Sequence, residues 1–240
     1  MGKYVRSELI KNKKSFDVKM LVIMPCVTVV LAILMMSGNY VQMLAYNWWY
    51  LIFLPFVVSY VGGHLIHREK KKNFHGLFGV LKRKQDLGYG KTIAVTFYLL
   101  ITNCVFVGLI SIAGVVFQSQ ISVMDNLLAG IVLTLTFAWQ IPFVLFVALK
   151  TNTILAVMVN VAGNLIIACS FATGFGWWIP FAIPARMMCI ILKILPNGLM
   201  AENAVMFGGY GTILSGISIS LVLYVVMSGC LFGALAKQEA

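Results

Sequence analysis

Six long apolar runs separated by short polar breaks make up most of the chain. At about 1.5 Å of rise per residue and a hydrocarbon core of ~30 Å, the runs predict membrane spans at about 20–36, 45–66, 92–117, 127–149, 153–172 and 211–236. Ahead of them, residues 1–19 set Val5, Leu9, Phe16 and Met20 at helical spacing among Lys3, Arg6, Lys11, Lys13, Lys14 and Lys19. That is the pattern of a helix lying on a membrane surface and leading into the first span. Pro25, near the start of the first run, predicts either a kink or the beginning of the helix, and Pro142, inside the fourth, predicts a kink. Gln85–Lys91 (QDLGYGK) predicts a glycine-containing turn before the third span. Residues 173–203 are too punctuated by Gly and Pro to span and too apolar for a solvated loop. They predict one or two short helices dipping into or lying on the outer leaflet, with MMCIILKIL as the candidate. The fold class is all-α, a polytopic membrane protein with one transmembrane domain covering 1–240.

One polar break has a periodicity of its own. In residues 67–84, HREKKKNFHGLFGVLKRK, the side chains Phe74, Leu77, Phe78 and Leu81 fall at i, i+3, i+4 and i+7, with lysines before and basic residues after them. This predicts a short amphipathic helix between spans two and three. Its apolar face has two possible destinations, the lipid interface with lysines toward anionic headgroups or a groove on a partner protein.

Composition narrows the class. The chain is 61% hydrophobic and 10% charged, against about 25% charged in a soluble domain. The net charge of +11 does not point to nucleic acid, because the basic residues collect at the ends of apolar runs. With both termini on one side of six spans, 16 of the 18 Lys and Arg fall on that side. The positive-inside bias then places both termini and residues 67–84 in the cytoplasm of a multi-pass cell-membrane protein. Trp48, Trp49 and Tyr50 open the second span like an aromatic belt on the outer side, and Gly229 and Gly233 offer a small-residue face for helix packing. The five cysteines are scattered singly, with no metal or disulfide spacing, and read as packing residues.

Little catalytic chemistry is present. As drawn, the spans carry charge only at their ends, which argues against proton-driven or sodium-driven transport. His64 and His67 stand at i, i+3 without a third ligand near in sequence, so no metal site is expected. No GxSxG, HExxH or GxxxxGK[ST] occurs, and the chain is read as no enzyme and without a cofactor of its own. Asn103, Asn160 and Asn164 read as interhelical hydrogen-bonding residues. A six-span chain with no energy source and an amphipathic cytoplasmic helix needs another subunit to drive it, which favours the partner destination for residues 67–84.

In this setting the chain resembles the permease subunits of type-2 ABC exporters. The length, the opening SELIKNKKSFDVKMLVIMP and the loop HREKKKNFHGLF are similar to lantibiotic-immunity permeases of the EpiE/MutE kind. The resemblance implies a coupling helix within 67–84 that docks into a separate ATP-binding subunit, with Glu69 at the family's acidic position and Phe74, Leu77, Phe78 and Leu81 filling the groove. It implies two copies of that subunit, holding ATP and Mg, and a second, different permease chain. Segment 173–203 becomes the outward re-entrant element. The implied cargo is a cationic lanthionine peptide expelled from the membrane, for which Trp48, Trp49, Trp177, Trp178, Asp125 and Glu202 are the candidate contacts. Export of another drug or host antimicrobial peptide, and a membrane sensor or scaffold without transport, are the alternatives.

Overall fold

A computed structural model describes residues 2–12, 15–36, 38, 40–71, 84–117, 121–201 and 204–237. Helices make up almost all of it. Helix α1 (Gly2–Asn12) is followed by the six helices long and apolar enough to cross a membrane: α2 (Phe16–Met35), α3 (Tyr40–Lys71), α4 (Gln85–Val116), α5 (Val123–Lys150), α6 (Thr153–Phe171) and α8 (Tyr210–Ala236). Between α6 and α8 lies the short helix α7 (Ile183–Ile191). These lengths and compositions make the chain a multi-pass membrane protein.

Spans two to four overrun their apolar cores. The helix that carries span two begins at Tyr40 and ends at Lys71, so Trp49 and Tyr50 stand inside the bundle and not at its rim. The expected aromatic belt there is therefore corrected. Trp49 is fully buried, stacked on Phe106 with centroids 4.5 Å apart, and its Nε1–H donates to Asn103 Oδ1 at 2.9 Å. Tyr50 is equally buried and Trp48 only half so. The expected turn at Gln85–Lys91 is also absent, since α4 is helical from Gln85. Gly88 serves close packing: a Cβ there would stand 2.7 Å from Leu235 Cδ1 and 2.8 Å from the Phe232 ring of α8. In contrast, Gly229 and Gly233 meet nothing within 4 Å and lie exposed, so the helix-packing role read for them is not used within the chain.

Prolines mark two of the irregular turns. Pro55 has no N–H to continue the ladder, and just before it Trp49–Phe53 is a π-helical segment in which the Leu54 N–H reaches the Trp49 carbonyl. In α5, Pro142 leaves the Ala138 carbonyl without its usual donor; the Ile141 N–H takes it at 3.1 Å and the helix breaks at Ala138–Trp139. Pro25 lies in an unbroken stretch of α2.

Interhelical hydrogen bonds pin the apolar surfaces. Asn103 Nδ2 donates to Thr134 Oγ1 at 3.0 Å, joining α4 to α5. Asn164 and Gln140 exchange two bonds of 3.0 Å, and Asn160 Nδ2 donates to the Pro55 carbonyl at 3.2 Å. The asparagines do what their place in apolar sequence predicts. Of the cysteines, only Cys189 is buried; Cys104, Cys169 and Cys230 are exposed, so packing accounts for one of the five.

Residues 173–201, the described part of the segment, form a compact insertion. Phe175–Trp178 is a 3-10 turn, and α7 starts at Ile183, four residues earlier than the candidate helix, because Pro184 supplies a helix-compatible φ in the first turn. Seven of its nine residues plus Arg186 are buried within the bundle, and so the helix does not lie on a membrane surface. Lys193 in the left-handed region (φ 58°) and Gly198 (φ 83°) then turn the chain through a small bridge between Ile194 and Met200. Asn47 of α3 anchors this turn by donating to the Leu195 and Pro196 carbonyls at 3.2 and 2.9 Å.

Replacing Trp49 by Phe keeps an aromatic ring against Phe106 but removes the N–H to Asn103 and one ring of the buried indole. The expected loss is about 2 kcal/mol, against about 3–5 kcal/mol for Trp49→Ala, measured as reversible unfolding in mixed micelles.

Candidate functional site

The α1 end of the bundle holds the densest chemistry, and its centre is a lysine. Lys91, in the first turns of α4, has a side chain with no exposure at all. Its Nζ lies 3.1 Å from Glu8 Oε2 of α1 and 3.4 Å from Glu69 Oε1 at the end of α3. Lys11 closes the group from the outside, 3.4 Å from Glu8 and 3.6 Å from Glu69. A buried ammonium without such partners costs several kcal/mol, and here two carboxylates from two other helices surround it. Three segments far apart in sequence meet at one cation.

A second pair sits beside it. Asp17, in the first turn of α2, is fully buried; its Oδ1 lies 2.7 Å from His64 Nδ1 of α3, and its Oδ2 accepts from Ser15 Oγ at 2.7 Å. The N-terminus of α2 favours this negative charge, and Ser15 caps the helix. Arg68 donates to Asn12 Oδ1, whose own Nδ2 donates to the Glu8 carbonyl at 2.8 Å. Lys70 Nζ reaches the Thr151 carbonyl at 2.8 Å and links α3 to the α5–α6 turn.

Helix α1 thus turns polar side chains inward. Glu8 and Asn12 are buried while Ile10 is 63% exposed. The surface-helix reading of residues 1–19 is corrected in two respects: a break at Ser15 gives Phe16 and Met20 to α2, and the inward face is built on charge. The chain also carries buried charge next to its spans, which the hydropathy reading did not place. His64 pairs with Asp17, His67 is exposed, and among the described residues no group of three metal-ligating side chains forms.

The other residues singled out from the sequence are dispersed. Glu69 faces into the cluster. Phe74, Leu77, Phe78 and Leu81 lie outside the described residues, as does Glu202. Asp125 lies in the first turn of α5, which Ser122 caps: the Asp125 N–H donates to Ser122 Oγ at 3.0 Å and Asp125 Oδ2 accepts from Ser122 Oγ at 2.8 Å. Trp177 is half-buried, Trp178 is 55% exposed, and neither stands near Trp48 or Trp49 in sequence or in helix. What the sequence reading missed is Lys91, Glu8 and Asp17. Their signal was the presence of acidic residues in an otherwise basic N-terminal segment.

Between α4 and α5 the side of the bundle carries a groove of about 490 Å³ walled by Leu100, Cys104, Val107, Leu127 and Ile131. Its polar members are already bonded, Asn103 to Thr134 and Ser111 to the Val107 carbonyl and Asn126, so the groove offers an apolar surface.

Comparison of the chain with protein-family models, curated proteins and solved structures returns no match.

Lys91→Met strands Glu8 and Glu69 in the cluster with only the half-exposed Lys11, at an expected loss of about 3–5 kcal/mol. Pairing it with Glu8→Gln should recover part of that loss. Thermal unfolding in detergent measures both, and limited proteolysis should show α1 released in the single variant.

Proposed function

We propose that the chain is the permease subunit of an exporter driven by a separate ATP-binding subunit, which docks from the cytoplasm on residues 67–84. The supporting observation is the way the two ends of that segment are held. Helix α3 leads into it and α4 leads out, and Glu69 and Lys91 join the two through a buried pair that also takes in Glu8 of α1. A push on the segment is then delivered to two spans and α1 together instead of being absorbed by a slack loop. Transmission of this kind requires rigid elements and discrete interfaces.

In this reading Glu69 serves as the joint between the docking segment and the bundle, and Phe74, Leu77, Phe78 and Leu81 form the docking face. ATP and Mg belong to the partner, which acts as a pair. A second, homologous permease chain completes the assembly. The cargo is a cationic lantibiotic or similar antimicrobial peptide, removed from the membrane to the outside as self-protection. The apolar groove between α4 and α5 suits the apolar face of an amphipathic peptide, whether it comes from the producer or from a host.

Purification of the tagged chain in mild detergent, with identification of what accompanies it, tests the assembly. An ATP-binding subunit and a second six-span chain are the expected companions, and Phe78→Asp should remove the ATPase while leaving the helices folded. Recovery of neither companion from a folded, lipid-retaining preparation would leave 67–84 as a recruiting or membrane-lying surface. The topology has its own check: a cysteine in place of Lys150, at the exposed end of α5, in a chain whose five native cysteines are replaced by alanine or serine, should react with an impermeant reagent only after the membrane is opened.

A further inference from the structure

Hydroxyls within the spans share one habit. Thr96, Ser111, Thr134, Ser215 and Ser218 each donate to the carbonyl four residues earlier on their own helix, at 2.7–2.9 Å. Thr92 of α4 and Ser228 of α8 depart from it. Thr92 is 2% exposed and Ser228 8%, and neither hydroxyl has a hydrogen-bond partner among the described residues. In hydrocarbon no water stands in for the missing partner, so each group is left at a cost.

The two residues meet across the seam between antiparallel helices. Near the ends of those helices Gly88 of α4 lies against Phe232 and Leu235 of α8, and the Tyr89 and Phe232 rings have centroids 3.9 Å apart. One turn further in, Thr92 and Ser228 line the same cavity of about 340 Å³, with apolar walls from Ile93, Val225 and Phe232. Gly229 also lines it; that residue is exposed, and a Cβ there would meet nothing within 4 Å. The cavity is therefore open on the side of α8 that faces away from the bundle.

Its depth is set by the helices. With 32 residues in α4 and 27 in α8, both overrun a hydrocarbon core of ~30 Å at about 1.5 Å per residue. Thr92 lies seven residues inside the start of α4 at Gln85, and Ser228 eight residues inside the end of α8 at Ala236, about 10–12 Å along each axis. Once the overrun is shared between the two ends, that level falls at or just below the edge of the hydrocarbon. Headgroups lie further out, and acyl chains below carry no acceptor. The acceptors at this level are the ester carbonyls of glycerolipids.

We propose that the α4–α8 seam binds the glycerol-ester region of a diacyl lipid, with the Thr92 and Ser228 hydroxyls donating to ester carbonyls and an acyl chain lying against Ile93, Val225 and Phe232. The full-length chain, stripped of lipid in a maltoside detergent that carries no ester, provides the test, read as the shift of its unfolding midpoint on titration. Dioctanoyl phosphatidylcholine should raise the midpoint. The dioctyl diether of the same headgroup, which lacks the carbonyls, should need about tenfold more for the same rise. Thr92→Val and Ser228→Ala each delete an unpartnered buried hydroxyl, so each should unfold no earlier than wild type in detergent alone and should narrow the gap between ester and ether. Gly229→Leu extends a side chain into the open space, favours the helix and should abolish the response to the ester lipid. Should Gly229→Leu not fold, the two hydroxyl variants still decide. Equal responses of the wild type to ester and ether overturn the proposal, as do hydroxyl variants that keep the full preference for the ester. So do hydroxyl variants that unfold earlier in detergent, which would reveal a partner within the chain. A midpoint that rises with protein concentration in the absence of lipid, and no longer does so in Gly229→Leu, overturns it too, since a second copy of the chain would then fill the seam.

Discussion

The ammonium of Lys91 has no water around it, and much of the architecture at the α1 end follows from that fact. Removing such a group from water is affordable only when opposite charge and hydrogen bonds replace the lost hydration. Glu8 and Glu69 provide the charge from two different helices, and the need for both fixes where α1 and the end of α3 must lie. Helix α1 then packs with carboxylate and amide inward, opposite to the order that hydropathy alone dictates. Asp17 repeats the solution one helix away, with a histidine, a serine and a helix N-terminus in place of two counter-ions.

Further into the bundle the same constraint acts on neutral groups. In hydrocarbon no solvent competes for an amide or hydroxyl, so the apolar helices are keyed to one another at the few points where Asn103, Asn160 and Asn164 find partners. Prolines add a complementary effect. Pro55 and Pro142 each free a carbonyl, and the helix re-forms around the gap as a π segment in one case and a break in the other. The π segment of α3 is the stretch that carries Trp49 and Tyr50 at its start. The widened turn and the burial of these large rings therefore coincide in one place.

The six spans were legible because transfer to hydrocarbon is close to additive along a run, and a sum over some twenty residues tolerates local errors. Their ends were not, because a helix continues past its apolar core when neighbours bury its polar groups, as with Gln42, bonded to the Ile110 carbonyl at 2.8 Å, and Lys91. Trp49 illustrates a second limit: an aromatic residue near the start of an apolar run is the same letter whether it sits at a headgroup or stacks on Phe106. The ion cluster was illegible for a different reason. Lys91 and Glu8 stand 83 positions apart, and no spacing rule relates residues that tertiary packing alone brings together. Arg186 was visible as an isolated charge in segment 173–203, but only the fold reveals that it is buried and has no ion-pair partner among the described residues.

The two ends of the bundle therefore differ in electrostatic closure. At the α1 end, cations and carboxylates from four helices neutralise one another at short range, and any displacement of one helix breaks several desolvated contacts at once. That end behaves as a single stiff body. At the other end the buried Arg186 guanidinium lies against the Phe207 and Trp177 rings and donates to one carbonyl, with its Nε–H buried and unpartnered. One all-helical fold thus holds buried charge in two ways, closed by opposite charge from other helices at the α1 end and covered by aromatic rings on α7.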